Sequence, residues 1–102
     1  MKIKVGLVED NPQLMVSISS NLRLFEEVEL VFTATNGKEA LTKLQVHAVD
    51  VVLMDIEMPV MDGVTATRQV REHHSGVKVV MLTVFDREDR IFDAILAGAT
   101  GY

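Results

Sequence analysis

Residues 49–54 read Val-Asp-Val-Val-Leu-Met, an almost unbroken apolar run with no polar face to offer water. Such a strand sits at the centre of a parallel sheet, where helices cover both faces. Three more runs share this character: Ile3–Val8, Val28–Thr35 and Val77–Leu82. Between them lie helical patterns. Asn11-Pro12 starts the first, with Pro where its missing N–H costs little. Leu14, Ile18 and Leu22 then recur at helical spacing through about Phe25. Asn36-Gly37 precedes a second helix with Ala40, Leu41 and Leu44 facing inward, and Val64–His73 forms a third that stops at Ser75-Gly76. Pro59 and Gly63 make 55–63 a loop. Asp86–Ala97 is a fourth helix, with Gly98 at the C-terminal cap position. Strands alternating with helices predict a doubly wound α/β domain.

The polar residues that close these runs are the next constraint. Glu9-Asp10 ends the first, Asp55 the third and Thr83 the fourth, while Gly101-Tyr102 would begin a fifth. In an open parallel sheet the strand ends converge on one crevice. Acids at strand ends can also simply cap loops or helices. Two adjacent acids after one strand and a third after a central strand favour an acidic pocket with a hydroxyl beside it. Carboxylates so gathered repel, and one is driven protonated unless a cation neutralises them. Oxygen donors without His or Cys favour Mg²⁺ over zinc or copper. Mg²⁺ commonly binds through one or two carboxylates plus a phosphate.

Composition narrows the function further. At 102 residues the chain is one domain, and its net charge of −5, without a Lys/Arg cluster, argues against direct nucleic-acid binding by this segment. The absence of cysteine excludes disulfides, Cys-zinc sites and thiol catalysis. No apolar span reaches 18 residues and the N-terminal run is too short for a signal peptide, so no membrane partner and a cytoplasmic location are expected. His47, His73 and His74 lack metal-ligand spacing, and a cation at His73-His74 suits a helix C-terminus. Met54, Met58, Met61 and Met81 read as packing residues, and Asp62-Gly63 as a helix cap.

Four segments together match a known family: V-G-L-V-E-D-N at 5–11, D-V-V-L-M-D-I-E-M-P-V-M-D-G at 50–63, V-V-M-L-T at 79–83 and A-I-L-A-G-A-T-G-Y at 94–102. The chain resembles the receiver domain of a two-component response regulator, over essentially its whole length. The resemblance implies a flavodoxin-like sheet of strand order 2-1-3-4-5. It implies a phosphoacceptor rather than an enzyme: Asp55 would take a phosphoryl group from a histidine kinase as an acyl phosphate. The implied Mg²⁺ ligands are Asp10, the Asp55 side chain and the Glu57 backbone carbonyl, with Glu9 holding a metal-bound water. Thr83 would bind a phosphoryl oxygen, and Tyr102 would turn inward as Thr83 moves. The resemblance also implies that Glu57 and Phe85 would govern how fast water reaches the acyl phosphate, in a direction the residues do not fix. The Asp86–Asp93 helix face is where the family forms partners and dimers. The Glu9-Asp10 pair and the Ala97-Gly98-Ala99-Thr100-Gly101-Tyr102 ending resemble regulators with a C-terminal helix-turn-helix of the LuxR/NarL type, which would make the output transcriptional.

One departure stands out. The family continues past Gly-Tyr to a lysine and a fifth helix. Both are absent here, as is most of the fifth strand, so 1–102 reads as a receiver domain incomplete at its C-terminus, either a fragment or a natural variant. Two other classes compete. A small phosphatase would use Asp55 as nucleophile and Glu57 as acid, but that class places its nucleophile after the first core strand. A flavin module would need a phosphate loop where Glu9-Asp10 would repel the phosphate.

Overall fold

Val51, Val52, Leu53 and Met54 are fully buried, as a strand without a polar face must be. They belong to β3 (Val51–Asp55), which lies between β1 (Ile3–Val8) and β4 (Lys78–Leu82), with β2 (Val28–Ala34) outside β1. The computed structural model describes residues 2–55, 63–74 and 76–82, the side chains of Asp55, Val64 and Leu82 aside. All three strand pairings among the described residues are parallel, as the alternation of strands and helices predicts, and they follow the order β2-β1-β3-β4 that the resemblance implies. The expected fourth helix and fifth strand lie outside the described residues, as does the expected 55–63 loop except its two ends, where Asp55 closes β3 and Gly63 opens α3 instead.

Helices cover both faces. α1 (Pro12–Leu22) brings Met15, Ile18 and Leu22 onto Val5, Leu7, Val28, Val51 and Leu53. On the other face α2 (Gly37–Leu44) and α3 (Gly63–His73) pack Ala40, Leu44, Ala66 and Val70 against Val8, Phe32, Ala34, Val52 and Met54. The Thr67 hydroxyl adds a tie from α3 to β4, donating to Met81 Sδ at 3.3 Å.

β2 serves both layers by an irregularity. Val5 pairs with Leu30, but the next residue, Gly6, pairs with Phe32, leaving Val31 as an extra residue. Such a bulge breaks the two-residue alternation. Val28 and Leu30 therefore face α1, whereas Val31, Phe32 and Ala34 face α2 and α3.

Two expectations for the first helix need correction. Leu14 is 40% exposed and does not join the inward stripe. A spacing of four residues drifts about 40° per step around a helix of 3.6 residues per turn. The line from Leu22 through Ile18 has thus wound off the core face at Leu14, and Met15 packs there instead. The helix also ends at Leu22 rather than near Phe25. Leu24 N–H donates to Asn21 O at 3.0 Å and Phe25 N–H to Leu22 O at 3.2 Å, tightening the chain into a turn. That turn leaves Leu24 80% exposed and returns Phe25 to the core.

The edge of the sheet opposite the acids is tied through Asp50, just before β3. Its Oδ2 accepts Lys4 N–H at 2.9 Å, its N–H donates to Lys4 O at 2.8 Å, and its carbonyl accepts Lys78 N–H at 3.0 Å. These bonds set the registers of β1, β3 and β4 against one another before any residue of the candidate site is reached.

Candidate functional site

Parallel pairing fixes which strand ends meet. Val8 lies opposite Met54, and Asp55 lies opposite Leu82. Glu9 and Asp10 follow Val8 directly, so the backbone of the acidic pair and that of Asp55 leave the sheet from neighbouring strands at the same edge. Glu9 N–H donates to Ala34 O at 3.0 Å, which carries the β1–β2 pairing one residue beyond β1. Thr83 follows Leu82 in sequence. Thr83, Glu57, Phe85 and Tyr102 lie outside the described residues, as does the Asp86–Asp93 face.

The two acids of the pair have different environments. Glu9 is 4% exposed, a carboxylate folded into the end of the sheet, whereas Asp10 is exposed. Glu9 Oε2 accepts the N–H of Asn11 at 3.0 Å, a bond that orients the buried carboxylate. Asn11 stands in the motif at 5–11 but registered only as a helix start, so its hold on Glu9 was missed. Its Oδ1 accepts from Gln13 N–H at 2.9 Å and Leu14 N–H at 3.2 Å, capping α1 while its own N–H holds Glu9. The sequence signal was there: an Asx residue before proline, two positions after a strand-ending acid.

The end of β2, at the same edge, carries a second polar group. Asn36 caps α2 by accepting Glu39 N–H at 2.8 Å, and the Thr35 hydroxyl donates to Glu39 Oε2 at 2.8 Å. Lys43 Nζ lies 3.2 Å from Glu39 Oε1 and also donates to Thr33 O. The Thr35 hydroxyl, helped by Lys43, holds the Glu39 carboxyl below its ordinary range. The histidines stay apart from the acids: exposed His47 lies with its ring 6.1 Å from that of Phe32, and His73 closes α3.

The response regulator receiver domain family matches residues 5–102. The chain belongs to that family. This receiver domain is 38% identical over 102 residues to the response regulator protein VraR of Staphylococcus epidermidis, and 40% identical over 100 residues to the transcriptional regulatory protein LnrK of Bacillus subtilis. It covers 100% and 98% of itself in these matches but 49% and 46% of the relatives, about half their length. Among solved structures, the receiver domain of NarL from Mycobacterium tuberculosis is 30% identical with a TM-score of 0.77, covering 96% of this chain and 79% of that one. The response regulator ChrA of a heme-sensing two-component system is 28% identical with a TM-score of 0.84, covering 98% of this chain and 58% of that one. RcsB from Salmonella typhimurium, at 18% identity and a TM-score of 0.89 over 98% of this chain and 62% of that one, shows the shared fold. Receiver domains form a regulatory family, and the match makes this chain part of a two-component response regulator. No helix among the described residues is long and apolar enough to cross a membrane.

Proposed function

We propose that this receiver domain is a phosphoacceptor switch in which Asp55 captures a phosphoryl group from a cognate histidine kinase. The observation that supports this most directly is the strand register: Val8 opposite Met54 sends Glu9-Asp10 and Asp55 off the sheet side by side. An Asp55 carboxylate oxygen attacks the phosphorus of phosphohistidine, the O–P bond forms, the P–N bond breaks, and the imidazole leaves as a neutral base after taking up a proton. Phosphoryl transfer of this kind asks a protein for positioning and charge neutralisation rather than covalent ingenuity.

The donors at this edge suit Mg²⁺. They are oxygen atoms, one acid of the pair is exposed to accept a hydrated ion, and the other is buried and held by an N–H. Asp10, Asp55 and the Glu57 carbonyl would hold the ion, with Glu9 orienting one of its waters. When bound, it supplies positive charge to the oxygens of the transferring group. Thr83 donates its hydroxyl to the phosphorylated state and draws Tyr102 inward, so that phosphorylation favours one arrangement of this edge over another.

In the whole protein the output is transcriptional control through a DNA-binding segment outside these residues, in line with the name of LnrK and with solved structures of RcsB bound to promoter DNA. The Asp86–Asp93 face would pair two copies, and the location would be cytoplasmic. The test is phosphorylation by a small phosphodonor, read by intact mass. One phosphoryl group per chain is expected with Mg²⁺, none with a chelator and none in Asp55→Asn. Undiminished labelling of Asp55→Asn would rule the assignment out, and release of many phosphates per chain would indicate a phosphatase instead.

A further inference from the structure

Asn11 shapes the turn between β1 and α1 through four hydrogen bonds. Its N–H donates to Glu9 Oε2, its Oδ1 accepts from Gln13 and Leu14 N–H, and its carbonyl accepts Met15 N–H at 2.9 Å. The bond from Asn11 N–H to the Glu9 side chain spans Asp10, closing a small ring around the exposed acid. We propose that Asn11 is a positioning residue for magnesium: by capping α1 it aims the N–H that orients Glu9, so the acidic pair and the first helical turn become ordered together. The proposal rests on the assignment of Glu9 and Asp10 to a magnesium site.

The physical chain is short. Asn11 stands at φ −80° and ψ 116°, extended backbone outside the helix, and Pro12 occupies the first helical position. With proline there, the donors left to satisfy in the first turn include Gln13 and Leu14, the two that Asn11 Oδ1 takes. An alanine at this position leaves both without that partner and lets the Asn11 peptide rotate. Rotation carries its N–H away from Glu9, and a carboxylate that is 4% exposed then loses a hydrogen bond that orients it. Glu9 would then hold its water less well, and the turn carrying Asp10 would wander. Magnesium, in turn, should quiet the first turn of α1, because two ordered acids require an ordered Asn11.

The experiment compares the whole chain with Asn11→Ala and Asn11→Ser, measuring Mg²⁺ affinity by titration calorimetry and amide hydrogen exchange at Gln13 and Leu14. Asn11→Ala should weaken Mg²⁺ binding about fivefold, the order of one lost helix cap, and Asn11→Ser, which can still cap, should restore most of it. In the unsubstituted chain Mg²⁺ should slow exchange at both amides. Wild-type affinity in Asn11→Ala, even with a lowered melting point, would reduce Asn11 to a stability device and overturn the proposal. So would Asn11→Ser binding as weakly as Asn11→Ala. An unsubstituted chain that takes up no Mg²⁺ would remove the magnesium assignment itself, a result distinct from either.

Discussion

The ring of Phe32 occupies the space that a side chain on Gly6 would fill. A Cβ built on Gly6 would stand 2.4 Å from Phe32 Cζ and 2.7 Å from Cε2, well inside van der Waals contact. Phe32 is 6% exposed and belongs to the layer under α2 and α3, so it has little room to retreat. Gly6→Ala should therefore destabilise the domain by about 1–3 kcal/mol, as overpacking a tight core does. Urea unfolding measures this, and a matching Phe32→Leu change should recover part of the loss.

The turn after α1 separates two leucines that look alike in sequence. Leu22 is 2% exposed and Leu24 is 80% exposed. Leu22→Ala should cost about 2–5 kcal/mol, whereas Leu24→Ser should stay within about 0.5 kcal/mol of the parent. Equal midpoints for the two variants would contradict the termination of α1 at this point.

Glu39 gives a pH dependence with a definite sign. Its pKa is lowered from 4.5, with the Thr35 hydroxyl the largest cause. A group with a depressed folded pKa adds stability above its unfolded value and loses it as pH falls through the folded one. Thermal midpoints should thus fall more steeply below pH 4.5 in the parent than in Glu39→Gln, by a small amount because the carboxylate is partly exposed. Parallel curves would show that the Thr35–Glu39 bond is not held in solution.

The acidic pair should divide its labour on magnesium. Asp10→Asn removes a direct ligand in the proposed site, and Glu9→Gln removes an outer partner, a loss of about tenfold in affinity. Calorimetric titration should rank Asp10→Asn as the weaker binder. The reverse ranking would make the buried acid the ligand.

How much of this was legible beforehand depends on which forces set each feature. β3 was legible because four consecutive apolar residues leave a strand no orientation except between two helical layers. That the backbones of Glu9-Asp10 and Asp55 leave the sheet from neighbouring strands followed from the same cause, since buried parallel strands fix which ends are neighbours. Leu14 was misplaced because a four-residue repeat is only nearly helical. The Val31 bulge was hidden because Val31 and Phe32 are both apolar, so no hydropathy pattern marks the change of face. The hold of Asn11 on Glu9 depends on turn dihedrals, which residue type alone does not specify. Thr83 was placed at this edge by its position after an apolar run, whereas the roles of Glu57 and Tyr102 came from family resemblance.

The extra residue at Val31 has a consequence for how the molecule comes apart. An edge strand with regular alternation would anchor a single helical layer and leave its other side to solvent. Here the strand changes allegiance midway, so its first half is glued beneath α1 and its second beneath α2 and α3. Peeling either layer away must drag β2 with it and strip the opposite layer of an anchor. Deleting Val31 would remove the extra residue yet leave Phe32 opposite Gly6 and Ala34 opposite Val8, so the strand should keep its hold on both layers and unfolding should stay a single sharp step.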